Sequence, residues 1–141
     1  MRTLLALAAL TAALATPAGA AASAPTLTVR GSSYGKILFD GRGFVLYAFT
    51  HDSRAHSRCS GECARRWPPF VVKVTPIAGK GTAAKLLGTT TRADGSRQLT
   101  YAGRPLYYYV GDTAPGVILC QNATEFGGVW LVVAATGRLV T

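Results

Sequence analysis

The sequence predicts a mainly β fold: a single compact domain of two similar antiparallel β units related by a pseudo-twofold axis, with one or two short helices. Two observations carry this prediction. The pattern Leu-Tyr-x-aromatic-x-x-Asp occurs twice, at residues 46–52 and 106–112. Each copy follows a glycine-containing turn and precedes a tryptophan, Trp67 or Trp130, and then an apolar run. Residues two apart on a strand share a face, so each copy is an aromatic strand that ends in an acidic turn.

The first 20 residues have the three parts of a secretory signal peptide. Arg2 supplies a basic start, residues 4–14 form an apolar run, and Ala18-Gly19-Ala20 provides a cleavage site after Ala20. The run is shorter than the roughly 20 apolar residues that span a bilayer. No cysteine lies near the cut. We therefore expect an extracellular or periplasmic protein that is not lipid-anchored and has no transmembrane helix after signal removal.

The net charge of the chain indicates which classes of partner it would bind. The 141 residues carry 15 Lys and Arg against 6 Asp and Glu, a formal charge of +9. A basic exported protein favours an anionic envelope polymer or another envelope protein as partner. The basic residues are scattered, and only Arg65 and Arg66 are adjacent. The sequence therefore contains no specific signal for nucleic acid.

The first half of the mature chain predicts a short strand, a hairpin and a helical turn. Residues 21–33 form an N-terminal tail and the first strand, and residues 34–75 form the first repeat unit, called unit 1. Gly41-Arg42-Gly43 separates two β-rich runs and predicts a hairpin. A helical turn over residues 62–66 ends before Pro68 and Pro69. The predicted strands of this half cover residues 26–30, 36–40, 44–50 and 70–74.

The second half predicts a similar order of elements. Residues 82–87 suit a short helix with Thr82 as N-cap and Gly88 at its end. The second repeat unit, unit 2, covers residues 88–138 and contains a second hairpin joined at residues 102–104. Residues 121–128 are expected to form a loop. The predicted strands here cover residues 89–92, 98–101, 105–110, 129–134 and 138–140. Neither half has enough apolar surface to fold alone, so units 1 and 2 form one domain, residues 34–141.

The repeated motif supplies the candidate binding residues. Exposed aromatic rings and carboxylates would form a contact surface, whereas buried ones would form the core. A buried tyrosine hydroxyl needs a partner, and Asp52 and Asp112 are the nearest acidic residues. We expect a structural role for Trp67, Pro68, Pro69 and Trp130. The candidate binding residues are Tyr47, Phe49, Asp52, Tyr107, Tyr109 and Asp112.

These motifs together resemble those of a bacterial family of secreted proteins and lipoproteins. The family has a repeated Tyr-x-aromatic-x-x-Asp motif and no established function. The first unit also matches in Cys-x-Gly-x-Cys-Ala-x-x-Trp-Pro-Pro, here residues 59–69, and the second in Arg-x-Asp-Gly-x-x-Gln, here residues 92–98. Two departures stand out. The lipidation cysteine of many relatives is missing, and Cys120 replaces an expected glycine-rich turn.

The three cysteines allow three disulfide pairings, and we favour Cys59 with Cys63. A disulfide is the default state of cysteines in an exported protein. Gly61 lets the short loop bend. Pairing of either residue with Cys120 remains open at this point.

The leading functional hypothesis is a non-enzymatic binding or interaction module that needs no cofactor. One alternative is an exported metal-binding or thiol-redox protein, in which His51, His56, Cys59 and Cys63 hold copper or zinc. A second alternative is a hydrolase that uses Asp52 and Asp112 as a carboxylate pair. No hydrolase elbow, zinc-protease or phosphate-loop motif is present in the sequence.

Overall fold

The computed structural model describes residues 26–141, and the predicted signal peptide lies outside them. Eight strands, one α-helix and one 3₁₀ turn make up this part of the chain. The 3₁₀ turn covers Ala84–Leu86, and helix α1 covers Glu62–Arg66. The strands are β1 (Leu27–Ser32), β2 (Gly35–Asp40), β3 (Tyr47–Phe49), β4 (Leu87–Thr91), β5 (Arg97–Tyr101), β6 (Arg104–Pro105), β7 (Ala123–Glu125) and β8 (Gly128–Val132). The mainly β fold that the sequence predicts is confirmed.

Both units open with the same antiparallel hairpin. Strand β1 pairs with β2 along its whole length, from Leu27 opposite Asp40. Strand β4 pairs with β5 in the same way, from Leu87 opposite Tyr101. Strand β1 therefore belongs to the hairpin that opens unit 1, and unit 1 begins at Leu27.

The two units exchange strands across a shared joint. Strand β3 of unit 1 pairs with β8 of unit 2, with Phe49 opposite Trp130. At the centre, the backbone amides of Tyr47 and Tyr107 each donate to the carbonyl oxygen of the other at 2.9 Å. This reciprocal pair lies where a pseudo-twofold axis would relate the units. Each unit therefore completes a sheet of the other.

Strand exchange continues beyond the two tryptophans. The Leu38 amide of β2 donates to the Val133 carbonyl oxygen at 2.9 Å, three residues after Trp130. The Leu99 amide of β5 donates to the Phe70 carbonyl oxygen at 2.8 Å, three residues after Trp67. The segment that follows each tryptophan therefore pairs with the hairpin of the opposite unit.

A column of four aromatic rings fills the core between the units. Trp67 and Trp130 stack face to face at 4.1 Å between ring centroids, and both are fully buried. Phe49 stacks on the outer face of Trp130 at 4.1 Å, and Tyr109 lies against Trp67 at 4.8 Å. Tyr47 meets the edge of Trp67, as Tyr107 meets the edge of Trp130. Each tryptophan thus contacts rings from both units.

Several predicted elements are shorter than expected, among them the strands predicted at residues 44–50 and 105–110, which are reduced to β3 and β6. The predicted helix at residues 82–87 is limited to Ala84–Leu86, since Leu87 already pairs with Tyr101 in β4. Thr82 does not cap it, because its hydroxyl donates to the Gly79 carbonyl oxygen at 2.7 Å. The predicted strand at residues 70–74 keeps a single bridge, Val71 to Gln98. The prolines that precede it lack the N–H donors that a ladder needs.

Two predicted connections instead contain paired strand. The predicted first strand does not end at Arg30, because β1 continues through Gly31 to Ser32 and forms a hairpin with β2. The predicted loop at residues 121–128 contains β7, which pairs with β8. The connecting residues Phe126 and Gly127 both have positive φ, at 54° and 81°. Two positive φ values make a type I′ hairpin turn, and a phenylalanine in that conformation gives no sequence signal for it.

Removal of either stacked tryptophan tests the packing. We expect Trp67→Ala and Trp130→Ala each to lower the free energy of unfolding by about 3–5 kcal/mol, because each leaves a cavity in the ring column. The measurement is chemical denaturation followed by circular dichroism. Val74→Ala is the matched control, since Val74 is 72% exposed and should change stability little. Wild-type stability in both tryptophan variants would contradict this packing.

Candidate functional site

The repeated motif forms two hydrogen bonds that cross between the units. The Tyr47 hydroxyl donates to Oδ2 of Asp112 at 2.7 Å. The Tyr107 hydroxyl donates to Oδ2 of Asp52, also at 2.7 Å. Each tyrosine therefore binds the aspartate of the opposite copy of the motif, and both tyrosines are fully buried.

The second oxygen of each carboxylate anchors the loop that follows it. Oδ1 of Asp52 accepts the Arg58 amide at 2.7 Å. Oδ1 of Asp112 accepts the Leu119 amide at 2.9 Å. The two aspartates thus have the same pair of donors, a tyrosine from the other unit and a backbone amide from their own. The repeated motif therefore forms the same set of hydrogen bonds in both units.

Burial raises the pKa of the titratable groups in both crossed pairs. Loss of solvent raises the pKa of the Asp52 and Asp112 carboxyls above the ordinary value, against the opposing effect of their donors. Burial, reinforced by the nearby carboxylate, raises the pKa of the Tyr47 and Tyr107 hydroxyls. Both tyrosines therefore remain protonated donors at neutral pH.

The structure places most of the six candidate binding residues inside the joint between the units. Tyr47, Phe49 and Tyr107 are buried, and Asp112 is 6% exposed. Asp52 and Tyr109 retain part of their surface. For the hydrolase alternative, each carboxylate is engaged by its own two donors, and neither aspartate is hydrogen-bonded to the other.

The predicted disulfide between Cys59 and Cys63 is confirmed, with 5.2 Å between the Cα atoms. Cys120 is free and half-buried. Its place in unit 2 corresponds to that of Cys59, because each cysteine follows the residue whose amide binds the motif aspartate. Unit 2 has no second cysteine after it, so only the loop of unit 1 is crosslinked.

Two polar residues that the sequence analysis did not single out tie the units together. The Arg92 guanidinium of unit 2 donates to the Cys59 carbonyl oxygen at 2.7 Å and to Ser57 Oγ at 2.9 Å. The Ser57 hydroxyl in turn donates to the Tyr107 hydroxyl oxygen at 2.7 Å, because the one proton of Tyr107 goes to Asp52. Glu125 of unit 2 accepts from the Trp67 indole at 2.8 Å. Arg92 opens the Arg-x-Asp-Gly motif, which is the signal that could have drawn attention to it.

The indole contacts differ between the units. In unit 2, Glu125 precedes Trp130 by five residues, and Glu62 holds the same place before Trp67. Glu62 pairs instead with Arg65 at the surface, at 2.9 Å. Among the described residues, the buried Trp130 Nε1 has no hydrogen-bond partner. Helix α1 in unit 1 and β7 in unit 2 thus break the symmetry around the tryptophans.

The predicted metal ligands lie on an exposed loop. His51 and His56 are both exposed, and the disulfide occupies the sulfur atoms of Cys59 and Cys63. Within residues 26–141, no group of three or more His, Cys, Asp and Glu side chains is placed to hold a metal ion. Across the same residues, no helix is long and apolar enough to cross a membrane.

Internal contacts engage the carboxylates and leave cations on the surface. Asp52 and Asp112 bind the tyrosines. The buried Asp40 carboxylate forms an ion pair at 2.9 Å with Arg42, whose side chain is exposed. Glu62 and Glu125 pair with Arg65 and Arg66. Asp94 accepts the amide and hydroxyl of Ser96 in its own turn. Among the described residues, the other lysines and arginines form no ion pair.

Two surface depressions carry arginine at their rims. The larger, about 590 Å³, opens over Phe70 and Tyr108, with the Arg42 guanidinium 5.9 Å from the Tyr108 ring centroid. The smaller, about 170 Å³, lies between Arg54 and Arg104, with Asp52 in its lining. Both are open to solvent, so each suits one group of a larger partner better than an enclosed small molecule.

Both units match the same known family. A family model described as a secreted repeat of unknown function matches residues 28–71 and 88–134. The two matches coincide with the two structural units and include both copies of the Tyr–Asp motif. No curated protein and no solved structure matches the chain.

Loss of one crossed hydrogen bond should destabilise the domain. Tyr47→Phe leaves the buried Asp112 carboxylate short of a donor, and Tyr107→Phe does the same to the partly buried Asp52 carboxylate, which costs about 1–3 kcal/mol each. The measurement is the free energy of unfolding of each variant. Tyr34→Phe is the control, because Tyr34 is 39% exposed. Equal stability of all three variants would contradict a structural role for the crossed bonds.

The raised pKa of Asp112 predicts a pH dependence of stability. The folded state holds the proton more tightly than the unfolded state, so ionisation of Asp112 lowers the free energy of unfolding as pH rises. We therefore expect the stability of wild type relative to Asp112→Asn to fall from about pH 4 upward and to level off above the folded pKa. Denaturation series across pH measure this difference. A difference that grew with pH would show that the donors outweigh burial.

Proposed function

The chain belongs to the family described as a secreted repeat of unknown function, and we propose that it is a non-enzymatic module that binds an anionic polymer of the bacterial cell envelope. The observation that carries this proposal is the excess of exposed lysines and arginines that have no acidic partner among the described residues. Every carboxylate of the described residues is engaged in a contact within the chain, while most of the lysines and arginines point their charge at solvent.

The distribution of the cations favours an extended polymer over a small anion. Arg54 and Arg58 are exposed on the loop between β3 and α1, and Arg97 is exposed at the start of β5, without ion-pair partners among the described residues. Scattered charges give many weak contacts that add along a polymer of regularly spaced anionic groups. Arginine is suited to phosphate and carboxylate because its planar fork donates two parallel hydrogen bonds.

Rigidity supports a binding role. The crossed tyrosine bonds, the ring column and the disulfide hold the loops that carry Arg54 and Arg58 in defined positions. A surface ordered before binding loses less conformational entropy when the polymer binds. Release of the protein without a lipid anchor is part of the same proposal, since the sequence has no cysteine at the expected cleavage site.

The two rival functions would need different chemistry. A metal role would require reduction of the Cys59–Cys63 disulfide before thiolates could bind copper or zinc. A hydrolase would require Asp52 and Asp112 to give up the donors that now engage them. The surface charge favours neither, and our proposal involves no cofactor.

The test is binding of the natively exported protein to purified teichoic acid, with neutral dextran as the reference polymer. We expect binding to teichoic acid that weakens steeply as salt increases, and none to dextran. The variant Arg54→Glu, Arg58→Glu, Arg97→Glu should bind at least about tenfold more weakly. The matched control replaces the same three residues by lysine and keeps the charge.

Three results would contradict the proposal. The first is equal binding of the glutamate and lysine variants to teichoic acid. The second is breakdown of the polymer during incubation, which would favour the hydrolase. The third is stoichiometric copper or zinc in the exported protein together with three free thiols, which would favour the metal alternative.

A further inference from the structure

The segment that follows Trp130 is hydrogen-bonded on both sides. On one side, the Leu38 amide donates to the Val133 carbonyl oxygen at 2.9 Å. On the other side lies the C-terminal segment, residues 138–140, with Leu139 opposite Val133. The Ala134 amide donates to the Arg138 carbonyl oxygen at 2.8 Å, and the Val140 amide donates to the Val132 carbonyl oxygen at 3.0 Å. The chain thus covers this edge of unit 2 with its own C-terminus.

The equivalent segment of unit 1 has a strand on one side only. Pro69, Phe70 and Val71 follow Trp67 as Val132, Val133 and Ala134 follow Trp130. Phe70 pairs with β5 as Val133 pairs with β2. On the outer side, the Val71 amide donates to the Pro69 carbonyl oxygen at 3.0 Å. The Val71 amide and the Pro69 carbonyl oxygen are equivalent to the two backbone groups that bind the C-terminal segment in unit 2. In unit 1 they bind each other, in a γ-turn around Phe70.

A cleft borders this segment of unit 1. It measures about 590 Å³ and is lined by Phe70, Val71 and Tyr108. Val71 is 42% exposed. In the part of the chain that the structure describes, no segment pairs with the outer edge of Phe70. This edge has the backbone groups of a sheet and a space beside them, but no strand.

We propose that an extended, acidic segment of a secreted partner protein adds to this edge as an antiparallel strand, in the place that residues 138–140 take in unit 2. Its carbonyl would accept the Val71 amide, and its amide would donate to the Pro69 carbonyl oxygen, in place of the γ-turn bond. Addition of a strand to an open sheet edge is a common mode of peptide recognition.

The two prolines are compatible with such a strand. In unit 2 the C-terminal segment uses the carbonyl of Val132 and the amide of Ala134, but not the amide of Val132. That amide donates to Gln121 Oε1 instead, at 2.7 Å. Pro69 therefore lacks only a donor that the added strand does not need. The prolines do restrict pairing elsewhere along the edge, which sets the register at Phe70.

Charge and apolar surface select the partner. The cleft offers Phe70 and Tyr108 to an apolar residue opposite Phe70, as Leu139 lies opposite Val133 in unit 2. The Arg42 side chain at its rim is 70% exposed, although it pairs with Asp40. A neighbouring carboxylate on the strand would be attracted to Arg42, whereas the C-terminus of a second copy would bring Arg138. An acidic partner strand is therefore favoured over a second copy of this chain.

The test uses synthetic peptides against the mature protein, followed by NMR at the Val71 amide. The first peptide is Thr-Gly-Glu-Leu-Val-Thr, which is the C-terminal sequence with glutamate at the place of Arg138. We expect millimolar or tighter binding, a shift of the Val71 resonance, and slower hydrogen exchange of that amide. The binding should be independent of teichoic acid, because it uses backbone groups rather than the scattered cations.

Two matched peptides test the geometry and the charge. N-methylation of the peptide valine removes the donor to Pro69, and should weaken binding about fivefold or more. Lysine in place of glutamate should also weaken binding, and the difference should shrink as salt increases. Since the protein is unchanged in all three titrations, misfolding cannot produce these differences.

Any of four outcomes would overturn the proposal. They are no change at Val71 with millimolar peptide, equal affinity for the N-methylated peptide, changes at Ala134 with displacement of the protein's own C-terminus, or formation of a dimer in which a second copy occupies the cleft. Analytical ultracentrifugation without peptide detects the last of these.

Discussion

The fold depends on the need of two buried tyrosine hydroxyls for an acceptor. Tyr47 and Tyr107 are fully buried, and each finds its carboxylate in the opposite unit. A unit on its own would bury a hydroxyl without this partner, at a cost comparable with a lost hydrogen bond. The same exchange aligns the two backbone strands, and it brings Trp67 and Trp130 into face-to-face contact. The repeated motif thus joins unit 1 to unit 2.

This use of the motif shapes the surface. The carboxylates of the repeated motif lie in the joint between the units, and most of the others form local ion pairs. Exposed lysines and arginines outnumber them, so the surface is cationic although the motif contains aspartate. The structural differences between the units arise where the symmetry fails. Unit 1 carries the disulfide and an open edge beside Phe70, whereas unit 2 carries β7 and the covering C-terminal segment.

Much of the fold was predictable because its signals are local. A glycine-containing turn between β-rich runs predicts the hairpin of β5 and β6, and the spacing of Cys59 and Cys63 in an exported chain favours their disulfide. Predictions failed where a distant partner decided the structure. The helix at residues 82–87 gave way to pairing of Leu87 with Tyr101. The type I′ turn at Phe126 was hidden because phenylalanine seldom adopts positive φ.

The sequence by itself determined the duplication, the β character and the residues of the joint, since periodicity and turn chemistry act between neighbours. Only the tertiary structure decided which aspartate serves which tyrosine, because the partners lie 65 and 55 residues apart. It also decided that the aromatic motif faces inward. A period of two places Tyr47 and Phe49 on one face of a strand, but whether that face meets solvent or another sheet depends on the strands that come from the other unit.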